Sequence, residues 1–273
     1  DNTLRMYGPF GIIEAVEHKL SSYSWNLVGN YKDVFELIVT EVLSPTETQS
    51  ARFQSDTTFE KSDLGARSIE DGLLLDEPSF QVNAQVLDHG LPVLAFALEE
   101  RTHINIIKTR LEEMGLKVGP WLNKFKTAIH NNEPEETFIK VEDEKTFSLG
   151  YLKDRITLDT PGQKISYVVD IAYSYANQAK VQELINDSTD LFIEAPFLDL
   201  DAERAKDRNH LTARQAGAIA GKANVKHLTT FHYSPRYENN GDSLREEAEL
   251  AFSDAEAEAS KETRPIGPRE GYC

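Results

Sequence analysis

The sequence from Ile165 to Glu194, ISYVVDIAYSYANQAKVQELINDSTDLFIE, contains the pattern that decides the fold class. Its first five residues predict a strand, helical spacing follows over 177–185, and a second short strand closes the stretch. Each strand leads directly into a carboxylate, Asp170 after the first and Glu194 after the second. A strand, a helix and a strand in this order predict an α/β protein with helices layered over a sheet.

Strands are predicted over most of the chain before this stretch, and a pair of helices separates them from it. Residues 26–100 are rich in β-branched and aromatic runs, of which the clearest are 34–42, 51–59 and 80–87. Residues 103–130 change to helical spacing, and Pro120 suits the first turn of the second helix. Further on, Thr212 and Gln215 have the spacing of a capping box, which predicts a helix over 213–223 before a strand at 228–231.

The composition is that of a globular chain that does not coat polyanions. Lys and Arg number 29 against 46 Asp and Glu, and the net charge of −17 repels nucleic acid and anionic membrane over most of the surface. The single cysteine, Cys273, excludes an intrachain disulfide and a thiolate zinc cluster. The longest uncharged apolar stretch, 91–98, is too short to span a bilayer, and no signal-peptide pattern opens the sequence. We therefore expect a cytoplasmic protein without a membrane partner.

Four of the predicted strands end at or beside a titratable residue. The residues at these ends are His89, Asp170, Glu194 and His232. Strands that share a sheet end on common rims, where α/β proteins build their sites, so these side chains can converge. Two imidazoles and a carboxylate suit zinc or a similar divalent ion. His210 lies two residues before the capped helix, beside an N-terminus whose partial positive charge favours an anion such as phosphate.

Each of these histidines, considered alone, is more often structural than catalytic. For the four remaining histidines, a solvated or capping role is preferred: His18, His103, His130 and His227. Asp88 either orients the imidazole of His89 as a hydrogen-bond acceptor or is an exposed turn residue.

Several segments together resemble the ribonuclease Z-like branch of the metallo-β-lactamase superfamily. Residues 210–217, HLTARQAG, resemble the H-x-T-x-x-Q-A block of that family, and residues 231–237, FHYSPRY, resemble its H-[FY]-S-x-R-Y ending. Weaker matches are Asp88-His89-Gly90, the strand Tyr167-Val168-Val169-Asp170 and the Gly119-Pro120-Trp121-Leu122 motif of the family's arm. The resemblance implies a metallo-β-lactamase-like αββα sandwich, two mixed sheets flanked by helices, over 1–237. It also implies a helical arm at about 103–130, followed by an acidic C-terminal helix and tail at 238–273.

The resemblance further implies a hydrolytic site with two divalent metal ions, zinc by preference, with manganese or iron as alternatives. His89 would bind one metal and His232 the other, with Asp170 between the two. His210 would donate a proton or stabilise charge near the scissile phosphate, with Glu194 as its orienting partner.

The sequence departs from the family at three places. The family's first metal-binding signature, His-x-His-x-Asp-His, is absent, and no His-x-His occurs anywhere in the 273 residues. Either an upstream segment lies outside this sequence, so that the N-terminal part is missing, or the chain is a degenerate homologue. Retention of all the other site residues favours the first explanation. The family's His-Glu-Ala-Thr is Ile193-Glu194-Ala195-Pro196 here, and Ile171 replaces the usual Thr after Asp170, which leaves the substrate open.

A local basic region offers a way for an acidic protein to bind RNA. Residues 101–126 hold six bases and two acids, a net charge of +4, and coincide with the arm. By the resemblance, Ser234 would bind a phosphate oxygen, and we expect RNA contacts from Lys108, Lys117, Lys124 and Lys126. The alternative is an amphipathic helix pair that carries its bases on the solvated face. Its apolar residues need something to pack against, which makes a homodimer a reasonable expectation.

Together these observations predict a metal-dependent hydrolase of the ribonuclease Z-like type, a phosphodiesterase that cleaves at the 3′ region of precursor tRNA. Two alternatives stay open. One is a hydrolase of the same fold that acts on a small phosphodiester or ester, and the other is a catalytically dead binding module.

Overall fold

The computed structural model describes residues 2–141, 145–238 and 240–262. The chain divides into two compact units, the first made of residues up to Glu99 and from Gln163 onward, and the second of Glu100–Gly162. Of the predicted C-terminal helix and tail, residues 263–273, with Cys273, lie outside the described residues.

The described strands and helices are as follows. The strands are β1 (Thr3–Pro9), β2 (Glu36–Ser44), β3 (Glu47–Gln54), β4 (Lys61–Ser68), β5 (Leu73–Asp76), β6 (Phe80–Asp88), β7 (Pro92–Glu100), β8 (His103–Ile106), β9 (Phe138–Lys140), β10 (Thr146–Ser148), β11 (Thr157–Thr160), β12 (Lys164–Val168), β13 (Asp190–Glu194) and β14 (His227–Phe231). The helices are α1 (Ile12–Ser21), α2 (Lys108–Glu113), α3 (Trp121–His130), α4 (Leu149–Ile156), α5 (Tyr175–Ile185), α6 (Ala202–Asp207), α7 (Ala213–Lys222) and α8 (Gly241–Glu262).

The first unit contains two mixed sheets. One has the strand order β1-β2-β3-β4, with β1 parallel to β2 and the other pairs antiparallel. The other has the order β14-β13-β12-β7-β6-β5, in which β12, β13 and β14 are parallel and β12 pairs antiparallel with β7. Helix α1 packs on the first sheet, α5 and α7 pack on the second, and the sheets contact each other through β2 and β6. The predicted αββα sandwich is therefore confirmed.

The helices of the second sheet bury the largest core of this unit. Apolar side chains of β12 and β13 pack against α5 and α7, with Ile185, Leu191 and Ile193 fully buried. The predicted capping box is present. The Thr212 side chain accepts a hydrogen bond from the backbone amide of Gln215, and the Gln215 side chain accepts one from the backbone amide of Thr212. This cap fixes the start of α7, and with it the loop that precedes the helix.

The second unit has its own core and corrects one prediction. Residues 103–106 form the strand β8, paired antiparallel with β11, and not the start of a helix. The helical spacing of apolar residues was misleading there because pairing with a strand some fifty residues further along the chain overrides local periodicity. The second predicted helix is confirmed as α3, which begins after Pro120.

The apolar residues of the two arm helices pack inside the second unit. Leu111, Trp121 and Phe125 belong to a buried cluster that also contains Leu152 and Ile156 of α4. They therefore do not require a partner subunit for burial, and the reason for expecting a homodimer falls away.

One other boundary differs from the prediction. The strand expected at 51–59 ends at Gln54, because Ser55–Thr57 turn into a 3-10 helix. Over the described part of the C-terminal segment, α8 is long but strongly acidic. None of the described helices combines the length and the apolar character that a bilayer-crossing segment needs.

Candidate active site at the rim of the second sheet

Five side chains that the sequence singled out meet at one rim of the six-stranded sheet. His89, Asp170, Glu194 and His232 stand at or just after the ends of β6, β12, β13 and β14. His210 reaches the same place from the loop between α6 and α7. Because these strands belong to one sheet, their ends lie along the same rim, and residues distant in sequence become neighbours there.

Four of these side chains form a tight cluster. The ligand atoms of Asp170, Glu194, His210 and His232 all lie within 4.8 Å of one another. The His232 Nδ1 atom is 2.8 Å from Asp170 Oδ1 and 3.3 Å from Glu194 Oε2. The His210 ring centroid is 5.2 Å from that of His232. Three different loops and the end of β13 therefore meet at this cluster.

His89 completes the cluster from the opposite side of Asp170. Its Nε2 atom is 3.9 Å from Asp170 Oδ2, and its ring centroid is 4.6 Å from that of His210. Its Nδ1 atom lies 2.8 Å from the Asn209 carbonyl oxygen. Because a carbonyl can only accept, Nδ1 donates its proton to it and Nε2 is directed towards Asp170. This is the arrangement that metal-binding histidines commonly adopt.

Glu194 is the buried centre of the network. Its side chain is 0% exposed, and Oε1 accepts from the backbone amides of Ile171, at 2.9 Å, and Leu211, at 3.2 Å. Its other oxygen is 2.7 Å from His210 Nδ1. A buried carboxylate is tolerated only when its oxygens are satisfied in this way. The family resemblance predicts a role for Glu194 towards His210 alone; its contacts with His232 and with the two loops were not predicted.

The charge of Glu194 sets the protonation of His210. Burial by itself lowers the pKa of the imidazole, but the hydrogen bond to Glu194 and the negative charge of that carboxylate outweigh burial. The pKa of His210 therefore lies above its ordinary value of 6.5.

The turn that carries His89 is tightly built. Asp88 Oδ1 accepts from the Gly90 amide at 2.7 Å, which makes Asp88 a turn residue and not the partner of the His89 ring. Gly90 has a φ of +78°, and a Cβ there would lie 2.7 Å from Asn209 Nδ2. Glycine is thus required for both the turn and the close approach of Asn209. Asn209 itself was missed, since a backbone carbonyl contact leaves no motif in a sequence.

His232 has an unusual backbone conformation. Its φ is +63°, in the left-handed region that residues other than glycine rarely adopt. Strained conformations of this kind persist where the surrounding structure fixes them, and they cluster at functional sites.

The remaining predicted residues occupy other positions. The Ser234 Oγ accepts from the Arg236 amide at 3.4 Å, at the start of a short 3-10 helix. The four lysines all lie in the second unit and are exposed: Lys108, Lys117, Lys124 and Lys126. The four histidines expected to be solvated are all exposed: His18, His103, His130 and His227.

The donor set of the cluster fits a divalent metal. Three imidazoles and two carboxylates supply nitrogen and oxygen ligands, which zinc, manganese and iron all accept. His210 and Glu194 already satisfy each other, whereas His89 Nε2 and Asp170 Oδ2 face one another at 3.9 Å, beyond hydrogen-bonding distance.

Known proteins similar to this chain include ribonuclease Z from several bacteria. No protein-family model matches the chain. Ribonuclease Z of Deinococcus radiodurans is 25% identical over 232 residues, which cover 85% of this chain and 67% of that protein. Ribonuclease Z of Thermobifida fusca is 31% identical over 180 residues, 65% of this chain and 51% of that protein.

A solved structure similar to this chain is that of human tRNase Z, short form. It aligns with a TM-score of 0.47 at 16% identity and covers 87% of this chain and 64% of that one. Against the two bacterial relatives above, the chain spans about half to two thirds of their length.

Proposed function

We propose that this chain, which is similar to bacterial ribonuclease Z proteins, is a metal-dependent hydrolase of the metallo-β-lactamase superfamily that cleaves phosphodiester bonds in the 3′ region of precursor tRNA. The observation that carries the proposal is the convergence of His89, Asp170, His210 and His232 around the buried Glu194. Each of these residues comes from a different loop, so local sequence propensity alone does not bring them together.

His89, Asp170 and His232 are the residues that would hold the metal ions. Asp170 lies between the two imidazoles, with one oxygen 2.8 Å from His232 Nδ1 and the other 3.9 Å from His89 Nε2. This position suits a carboxylate shared by two ions. When bound, zinc, manganese or iron would lower the pKa of a coordinated water and act as a Lewis acid on the phosphate.

His210 is the proposed proton donor. Glu194 holds its Nδ1 at 2.7 Å, which fixes the ring and leaves Nε2 for the substrate. The raised pKa favours the protonated form of His210, whose proton can be given to the leaving alkoxide oxygen. Glu194 orients the ring and stabilises its charged form.

Substrate binding is assigned to the half-buried Ser234 and to exposed lysines. Ser234 lies two residues after His232 and would bind a phosphate oxygen. The basic residues of the second unit would contact the RNA backbone, with Lys108, Lys117, Lys124 and Lys126 exposed for this purpose.

The test compares two substrates with the native protein at millimolar zinc or manganese. Cleavage of precursor tRNA at its 3′ region, lost with a chelator and with Asp170→Ala, supports the proposal. Hydrolysis of a chromogenic bis-aryl phosphodiester without cleavage of precursor tRNA would replace it with a small-substrate hydrolase. Binding of less than about half an equivalent of metal, with no turnover of either substrate, would favour a binding module.

A further inference from the structure

We infer that Asn177 is a positioning residue that locks the loops of His89 and Asp170 to each other, and so sets the spacing of two proposed metal ligands. The expected effect on metal binding rests on the proposed function, whereas the hydrogen bonds that join the two loops do not depend on it. Neither the family resemblance nor the strand-end pattern points to Asn177.

The side chain of Asn177 is buried, only 2% of the residue being exposed, and it bonds to both loops. Its Oδ1 accepts from the Asp88 amide at 3.0 Å. Its Nδ2 donates to the Asp88 carbonyl at 2.8 Å and to the Ala172 carbonyl at 2.8 Å. Both amide hydrogens and the carbonyl oxygen are thus used, and every partner is a backbone group.

The two backbone positions are next to the site. Asp88 immediately precedes His89, and Ala172 lies two residues after Asp170. The Ala172 amide also donates to the Asp88 carbonyl at 2.8 Å, so the loops are joined directly as well. Asn177 closes this junction from the helix side.

The helix makes the anchor rigid. Asn177 lies in the first turn of α5, where its own amide donates to Ser174 Oγ at 3.2 Å, and α5 packs against β6. Because Asn177 lies at the start of the helix and bonds to both loops, it holds the two loops at fixed positions relative to α5. Metal ligands need this kind of support, because their affinity depends on geometry set by neighbouring groups.

The experiment uses Asn177→Leu, which has a similar volume and no hydrogen-bonding group. Asn177→Asp is a second variant, of nearly identical shape, that keeps one acceptor and loses both donors. Ser188→Ala is the matched control, since its hydroxyl is buried in the same unit and lies 2.7 Å from Ser166 Oγ, away from the site loops. Folding of each variant is checked by circular dichroism and urea unfolding.

Two readouts are measured. The first is amide hydrogen exchange in the metal-free protein, where we expect faster exchange at Asp88 and Ala172 in both Asn177 variants and no change there in the control. The second is cobalt(II) affinity followed by its visible absorption, which we expect to fall about tenfold or more in the Asn177 variants and to change less than about twofold in the control.

The outcomes separate this inference from the proposed function. Unchanged exchange at Asp88 and Ala172 in a folded Asn177 variant would overturn the positioning role, and so would a cobalt affinity equal to that of the control. If the unmodified protein fails to bind cobalt while the exchange result holds, the metal-dependent function fails and the junction of the two loops stands.

Discussion

The site rim of the first unit and the helices of the second unit place their charged residues in opposite ways. At the rim, His210 and Glu194 are withdrawn from solvent and held by bonds between distant segments. In the second unit the lysines point to solvent and the apolar side chains form the core. The geometry of the candidate site therefore comes from strand ends and buried bonds, whereas the second unit carries its lysines on the surface around a core of its own.

Phe125→Ala should give the largest effect, a loss of about 3–5 kcal/mol of unfolding free energy in the second unit. The reason is that Phe125 is 0% exposed in the core of that unit. Urea unfolding followed by Trp121 fluorescence, in a Trp25→Phe background, isolates this unit. Phe10→Ala, at a residue 74% exposed, is the control and should change stability by less than about 0.5 kcal/mol. Equal effects of the two substitutions would mean that the second unit has no core of its own.

His210→Ala should slow turnover by about two powers of ten or more while the metal content stays the same. Single-turnover kinetics and metal analysis of the same preparation measure both quantities. His227→Ala is the control, because that imidazole is exposed and lies 3.3 Å from Asp190. Loss of metal from the His210 variant would make His210 a ligand and not the proton donor.

Replacing Lys108, Lys117, Lys124 and Lys126 together by Ala should weaken precursor tRNA binding by about tenfold at physiological salt and flatten its salt dependence. Hydrolysis of the bis-aryl phosphodiester should not change. A variant with the same loss of charge in the first unit is the control: Lys19, Lys32, Lys222 and Lys226 to Ala. If the two variants bind RNA equally, the arm has no special role.

Glu194→Gln should lower the pKa of His210 below its ordinary value, because burial then acts without the opposing carboxylate. In the unmodified metal-free chain the raised pKa means that the charged pair stabilises the fold fully below about pH 6.5. This stabilisation is lost as pH rises through the raised pKa. Titration of the His210 ring by NMR measures the shift, and an unchanged titration in the Glu194 variant would show that Glu194 does not control it.

The sequence predicted the parts of the fold and site that depend on strand ends and caps. Asp170, Glu194 and His232 follow apolar runs that are strands in the structure, and Thr212 caps α7 as its spacing indicated. The strand β8 was missed, because its partner β11 lies far along the chain and leaves no local signal.

The contacts that orient the site residues were also out of reach. Asn177 bonds to backbone groups of two remote loops, and the backbone carbonyl of Asn209 accepts from the His89 ring. Such bonds are decided by tertiary packing and impose no spacing on the sequence. They are visible only once the loops have been placed.

The most direct test of the central claim is anomalous diffraction from crystals of the protein soaked in millimolar zinc or manganese. We expect anomalous peaks beside Asp170, at about 2.0–2.2 Å from its oxygens and from the imidazole nitrogens of His89 and His232. The proposed ligand set would be contradicted if no anomalous peak appeared at this rim at saturating metal. It would also be contradicted if the metal were bound by His210 and Glu194 and not by His89.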